Sequence, residues 1–301
     1  MAIYINCWEH YSSLFSSCSD FADEINGRVK NCLLDDFYPL DEPSDLYDFI
    51  ESRGTRSKDN FTIAAMYVSK KLIRKNVEAD RLGIIFATEY GNINSMYSLG
   101  NLGKSSTDPI SAKLFPNATI SSATVSVAID LMAQGFNVTV NSGILSFYQA
   151  IMIACNYIND GKLDYCIVLT GDDYNKFATE DVLMSDIQVK KFLSNVSGIL
   201  ISNNRIEDGK NYIIKNVKLN KMNDTLAESN NFIDLMGYRY INEGSFSNIK
   251  TPDVYIGPSV GFIELLNCFQ YLDNNSGVDQ CCAAVVDNNS YISIAVGRDE
   301  I

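Results

Sequence analysis

The chain of 301 residues is poor in the residue types that most often carry chemistry. It has one histidine, His10, so it holds no Cys/His zinc set and no pair of imidazoles for acid–base work. Its eight cysteines, at 7, 18, 32, 155, 166, 268, 281 and 282, form no CxxC pair. Several sit in apolar runs such as "DYCIVLTG", which reads as reduced, buried thiols. Against 37 Asp and Glu stand only 24 Lys and Arg, a formal charge of −13 that offers no basic face to nucleic acid or an anionic membrane. Partners of this chain are expected to be proteins. No apolar run reaches bilayer length, and the opening "MAIYINCWEHYSSLFSSCSD" has neither a basic n-region nor a continuous apolar stretch, so a cytoplasmic protein is expected. The glycines of "GNINSMYSLGNLGK" (91–104) do not follow GxGxxG. The adjacent aspartates of "GDDYNK" (171–176) point to opposite sides of a strand end, which reads as a solvated loop and not as a metal site. Neither a metal nor a cofactor is expected.

What is present is alternating strand and helix signal, with 46% hydrophobic residues to fill a core. "TIAAMYVSKKLIRK" (62–75) has apolar positions at helical spacing, and "LGIIFATE" (82–89) is the continuous apolar run of a buried parallel strand. The pattern repeats as a helix over 119–135, a strand "NVTV", a helix "ILSFYQAIMIACNYI", and buried strands over 164–171 and 196–203. The helix after "NSG" is apolar on nearly every side, so it belongs between layers. A shorter echo follows: "PDVYIGPSVGFIELLNCFQYL" (252–272) again runs strand, turn and apolar helix, and "CCAAVVDNNSYISIAVG" (281–297) reads as two strands. The expectation is an α/β protein of two related halves, 1–203 and 204–301, with sheets covered on both faces and a polar, Asn-rich stretch from about 204 to 250.

The two elbows, the run "LFPNATISSATVSVAIDLMAQGFNVTV" leading into the first, and "ESRGTRSKDNFTIAAMYVSKKLI" before it together resemble the β-ketoacyl synthases of the thiolase superfamily. The resemblance implies a layered α-β-α-β-α fold, here with a reduced C-terminal half. In that family a cysteine at the first elbow takes the acyl chain, its thiolate favoured at a helix N-terminus. Aligned by "GFNVTVNSG", that position is Ile144; aligned by Gly261 and Glu264, one catalytic histidine falls near Tyr255, and the segment of the other is not found. Ser142 and Ser146 flank the elbow, but a serine nucleophile needs an adjacent base, and the sequence pairs neither with one.

A ketosynthase without its cysteine resembles the chain-length-factor subunits of type II polyketide and aryl-polyene systems. The resemblance implies a non-catalytic subunit that forms a heterodimer with a catalytic ketosynthase, shapes its acyl tunnel, and meets the acyl carrier protein only through that partner. It implies a dimer interface on the strand Asn137, Val138, Thr139, Val140, Asn141 and Ser142, and a tunnel-closing helix face carrying Ile93, Met96, Tyr97 and Leu99. Packing of that face within its own subunit is the competing expectation. Two alternatives stay open for the whole chain: an enzyme with altered chemistry, acyl transfer or decarboxylation, and a homodimeric binding scaffold.

Overall fold

The computed structural model describes residues 2–25, 37–51, 55–73, 77–105, 112–184, 189, 191–206, 211–221, 239–241, 245–247, 254–287 and 290–299. Arg53 of the Arg-rich turn, Cys32, and most of the Asn-rich stretch between 207 and 250 lie outside the described residues. In chain order the elements are β1 (Tyr4–Ser12), α1 (Cys18–Ile25), β2 (Phe37–Tyr38), α2 (Asn60–Leu72), β3 (Leu82–Ala87), α3 (Ile93–Ser105) and α4 (Ser122–Asp130). Then come β4 (Asn137–Val140), α5 (Ser146–Asn159), β5 (Tyr165–Asp172), α6 (Lys176–Met184), β6 (Lys191–Leu193), β7 (Asn195–Ser202) and β8 (Tyr212–Lys221). The last are β9 (Arg239–Ile241), β10 (Ser245–Ser247), β11 (Val254–Tyr255), α7 (Val260–Asn274), β12 (Gln280–Asp287) and β13 (Ser290–Arg298). Among the described residues no helix is long and apolar enough to cross a membrane.

Local chemistry sets several of these boundaries. The Asp59 side chain accepts the Thr62 N–H at 2.7 Å and caps α2, and Lys70 and Lys71 lie in its last turn, where the exposed carbonyls favour cations. Each elbow turns on a glycine in the left-handed region, Gly143 at φ 57° before α5 and Gly257 at φ 54° before α7. A side chain there would be strained, so the repeated glycine marks the repeated turn.

The strands form one eight-stranded sheet in the order β12-β13-β8-β1-β7-β5-β3-β4. Strands β3, β4 and β5 are parallel, as the crossover helices between them require. Only two residue pairs join β1 to β8, so five strands preceding Asn203 and three following it meet at a narrow seam. The alternation of strand side chains divides the core. Ile84, Phe86, Ile167, Leu169 and Leu200 face α2 and α4, whereas Ile85, Ala87, Cys166, Val168 and Ile199 face α5 and α7.

Helix α5 packs on β3 and β5 and also on β8 and β13, the enclosed position its apolar surface demands. It also crosses α7 closely: a Cβ on Gly261 would lie 3.1 Å from Phe147 Cδ1 and from Tyr148 Cε1. One expectation needs correction. Asn216 and Lys218 of β8 are exposed, so the three-stranded part is not covered on both faces along its length; an antiparallel sheet tolerates a wet face. The strand before the second elbow, β11, lies outside the large sheet and pairs with β6, which also pairs with β2.

Candidate functional site

The first elbow runs from Val140 through Asn141, Ser142 and Gly143 to Ile144. Ile144 is half-buried and packs on the main core with its aliphatic side chain. Ser146 opens α5 with its hydroxyl fully engaged: it accepts the Ser142 N–H at 2.8 Å and donates to the Gly143 carbonyl at 2.7 Å. That bonding holds the turn, and it leaves Ser146 no base to activate it. The single histidine lies elsewhere, within β1. His10 is 1% exposed, stacks on Phe21 at 3.7 Å, and shares hydrogen bonds with Ser197 at 2.8 Å and Ser12 at 3.3 Å. Burial holds its pKa well below the usual imidazole value, so it is a neutral core residue.

Tyr255 and the elbow, distant in sequence, are brought together by Glu89. The Tyr255 hydroxyl donates to Glu89 Oε2 at 2.7 Å, and Glu89 Oε1 lies 3.9 Å from the place a Cβ on Gly143 would take. Burial, then the Glu89 charge, push the Tyr255 pKa far up, which keeps the phenol protonated as a donor. The other charged or ionisable neighbours that act on it are Asp172 and Tyr90. The carboxylates raise the pKa of the neighbouring phenols, and a phenol that donates to a carboxylate favours the ionised carboxylate, so such a set creates no thiolate or alkoxide.

Beneath this pair lies Asp172, fully buried at the end of β5. Its Oδ1 accepts four hydrogen bonds: from Thr88 Oγ1 at 2.5 Å and from the backbone N–H groups of Glu89 at 3.0 Å, Tyr90 at 2.8 Å and Gly91 at 2.8 Å. Burial raises its pKa to about 6, and these four donors hold it from rising further. Gly257 leaves room for it, because a Cβ there would come within 2.5 Å of Asp172 Oδ2. Asp173 turns the other way, accepts from Asn94 Nδ2 at 2.7 Å, and also has its pKa raised to about 6 by burial. The expected opposite orientation is present, but the expected solvation is not. Three backbone donors in the turn before α3 need an acceptor inside the protein, and Asp172 supplies it.

Helix α3 carries the four candidate tunnel residues. Ile93 packs on the small cluster of Tyr174, Phe192 and Tyr255, while Met96 and Leu99 are half-buried. Tyr97 is 52% exposed and stacks on Phe177, itself 53% exposed, at 6.2 Å. The face is therefore split, with Ile93 in this chain's core and Tyr97 outside it.

Among the described residues, strand β4 is the open end of the sheet. Ile84 N–H donates to the Phe136 carbonyl at 2.8 Å and Thr88 N–H to the Val140 carbonyl at 3.0 Å. With Phe86 opposite Thr139, this register turns Val138 and Val140 toward β3 and points the backbone groups of Asn137, Thr139 and Asn141 away from it. Thr139 is thus not a member of a central ladder within this chain. Asn141 Nδ2 donates to the Glu89 carbonyl, and Thr139 Oγ1 bonds Thr124 Oγ1 at 2.6 Å.

No protein-family model and no curated protein sequence matches the chain. Solved structures do. The ishigamide ketosynthase/chain length factor superposes with a TM-score of 0.72 at 13% identity, covering 99% of both chains. The fold is the thiolase-like ketosynthase fold. A type II polyketide acyl-carrier protein in complex with its ketosynthase bound to the hexaketide gives 0.74 at 10% identity, covering 99% of both chains. A ketosynthase in complex with its chain length factor from Xenorhabdus doucetiae gives 0.61 at 14% identity, covering 99% of this chain and 100% of that one. Glu89, which the sequence reading did not single out, and Asp172, which it read as part of a solvated loop, sit at the C-terminal ends of parallel strands. Ligand-facing groups gather there in α/β sheets, a signal that "LGIIFATE" and "DYCIVLTGD" both carried.

Proposed function

We propose that the chain is a non-catalytic, cytoplasmic subunit of the chain-length-factor kind, paired with a catalytic ketosynthase of a type II polyketide or aryl-polyene system. The observation that carries this reading is the elbow: its strand and turn are present, the residue at the turn is Ile144, which the resemblance aligns with the nucleophile position, and a Tyr255–Glu89 hydrogen bond lies close to that turn. An elbow without chemistry is kept where its strand serves a partner. Among the described residues, the outward backbone groups of Asn137 and Thr139 form an edge with no strand beyond it. Val125 and Ile129, one turn apart on α4 and 44% and 73% exposed, flank it, and α4 packs on β4. A ketosynthase strand added there would cover both.

On this reading Tyr97, Met96 and Leu99 reach toward the partner's tunnel while Ile93 anchors their helix. The carrier protein docks on the partner, since a chain of net −13 repels an acidic carrier. The isolated chain should form no acyl thioester and release no carbon dioxide from malonyl-carrier protein, and Ile144→Cys should give no condensation product, because no histidine accompanies the thiol. Acyl transfer or decarboxylation by the wild-type chain above a no-protein control would favour the enzyme reading instead.

A further inference from the structure

Two thiols meet in the core between α7 and β12. Cys281 Sγ donates to Cys268 Sγ at 3.0 Å, both residues are fully buried, and both are free cysteines. Even non-bonded carbon atoms rest at about 3.5–4.0 Å, and sulfur is larger, so the two atoms are held inside ordinary contact. A disulfide, at about 2.05 Å, requires them to close by only about 1 Å. The alternation of β12 selects the partner. Cys281, Ala283 and Val285 share the core face on which α7 packs, and Cys282 points to the opposite face.

We propose that Cys268 and Cys281 are a peroxide-oxidisable pair whose reversible disulfide locks α7 onto β12. One thiol, deprotonated to water, attacks hydrogen peroxide: an S–O bond forms, the O–O bond breaks, and the departing hydroxide takes up the proton as water. The neighbouring sulfur then attacks the sulfenic acid, so that the S–S bond forms, the S–O bond breaks, and its proton leaves with the hydroxyl as a second water. Two thiols thus lose two electrons and two protons, and one peroxide is reduced to two waters. Burial, then the contact with Cys281, hold the Cys268 pKa well above the ordinary thiol value, so the thiolate forms only as the helix loosens from the strand, and oxidation is slow. Peroxide, little larger than water, enters an opening that excludes bulkier disulfide oxidants. The bond would join residues 13 positions apart across the 275–279 turn, in the half of the sheet that holds three strands and meets the rest at only two residue pairs. A loop closed there restricts the unfolded chain and stabilises that half. The pair stands apart from the elbow and from any partner.

The full chain is treated with hydrogen peroxide, quenched with catalase, denatured and alkylated, and its chymotryptic peptides are read by tandem mass spectrometry. A Cys268–Cys281 crosslink is expected, together with a Tm about 5 °C higher than that of equally treated Cys281→Ser, which corrects for methionine oxidation. Dithiothreitol should remove both the crosslink and the shift. Cys282→Ser, altered on the opposite face of β12, should still form the crosslink, and it keeps the test open should Cys281→Ser fold poorly. Alkylated Cys268 and Cys281 after peroxide, sulfinic acid at either in place of the crosslink, a crosslink through Cys282 instead of Cys281, or a crosslink without a rise in Tm would overturn the proposal.

Discussion

Asp172 shows how one residue organises the site without reacting. Its carboxylate gathers three N–H groups of the turn that launches α3, and α3 carries the candidate tunnel face. Its folded-state pKa, about 6, lies above the ordinary 3.8, so the protonated form favours the fold. That contribution is full below the ordinary value and is lost as pH rises through about 6. Asp172→Asn keeps an oxygen acceptor for the turn but cannot titrate. Between roughly pH 5 and 7.5 its stability should therefore rise relative to wild type by on the order of 1 kcal/mol in urea unfolding. Parallel stability curves for the two proteins would show that Asp172 does not titrate in the fold. The pairing of Glu89 with Tyr255 was not legible in the sequence, because 166 residues separate them and nothing in the sequence links the end of "LGIIFATE" to the second elbow. Ile144 was legible because a strand and an apolar helix bracket it closely.

Among the elements, the buried ones were readable and the polar-lined ones were not. Strands β3, β5 and β7 are apolar runs, and α5 is apolar around its circumference. Strand β1 hides its place inside the sheet because Asn6, His10 and Ser12 are buried there. Side-chain hydrogen bonds satisfy them, with Ser202 reaching Asn6 at 2.9 Å and Ser197 reaching His10 at 2.8 Å. Strand β4 yields a sharper test than sequence alone suggested. Since the Thr139 N–H points away from β3, Thr139→Pro should cost the isolated chain little and yet abolish pairing through the edge. Size-exclusion chromatography of the variant with a ketosynthase checks this; undiminished complex would move the interface elsewhere. On α3, Tyr97→Ala should change the stability of the isolated chain by less than about 1 kcal/mol, because the ring is half-exposed. In a working complex the same change should lengthen the product, as mass spectrometry of released chains would show. Unchanged length from a well-formed complex would remove Tyr97 from the tunnel.

At the scale of the whole molecule, a sheet left open on one edge, exposed apolar side chains beside that edge, and an elbow lacking a nucleophile are consistent with one subunit of a larger sheet. The ketosynthase fold permits either a pair of identical chains or a mixed pair, and the backbone edge is compatible with both. Chemistry separates them, since two copies of this chain would bring together two elbows with isoleucine in place of cysteine. The decisive measurement is native mass spectrometry of this chain co-expressed with a catalytic ketosynthase of a type II polyketide or aryl-polyene system. A one-to-one heterodimer, lost on Thr139→Pro, is the predicted result. A homodimer of this chain standing apart from a ketosynthase homodimer would contradict the account.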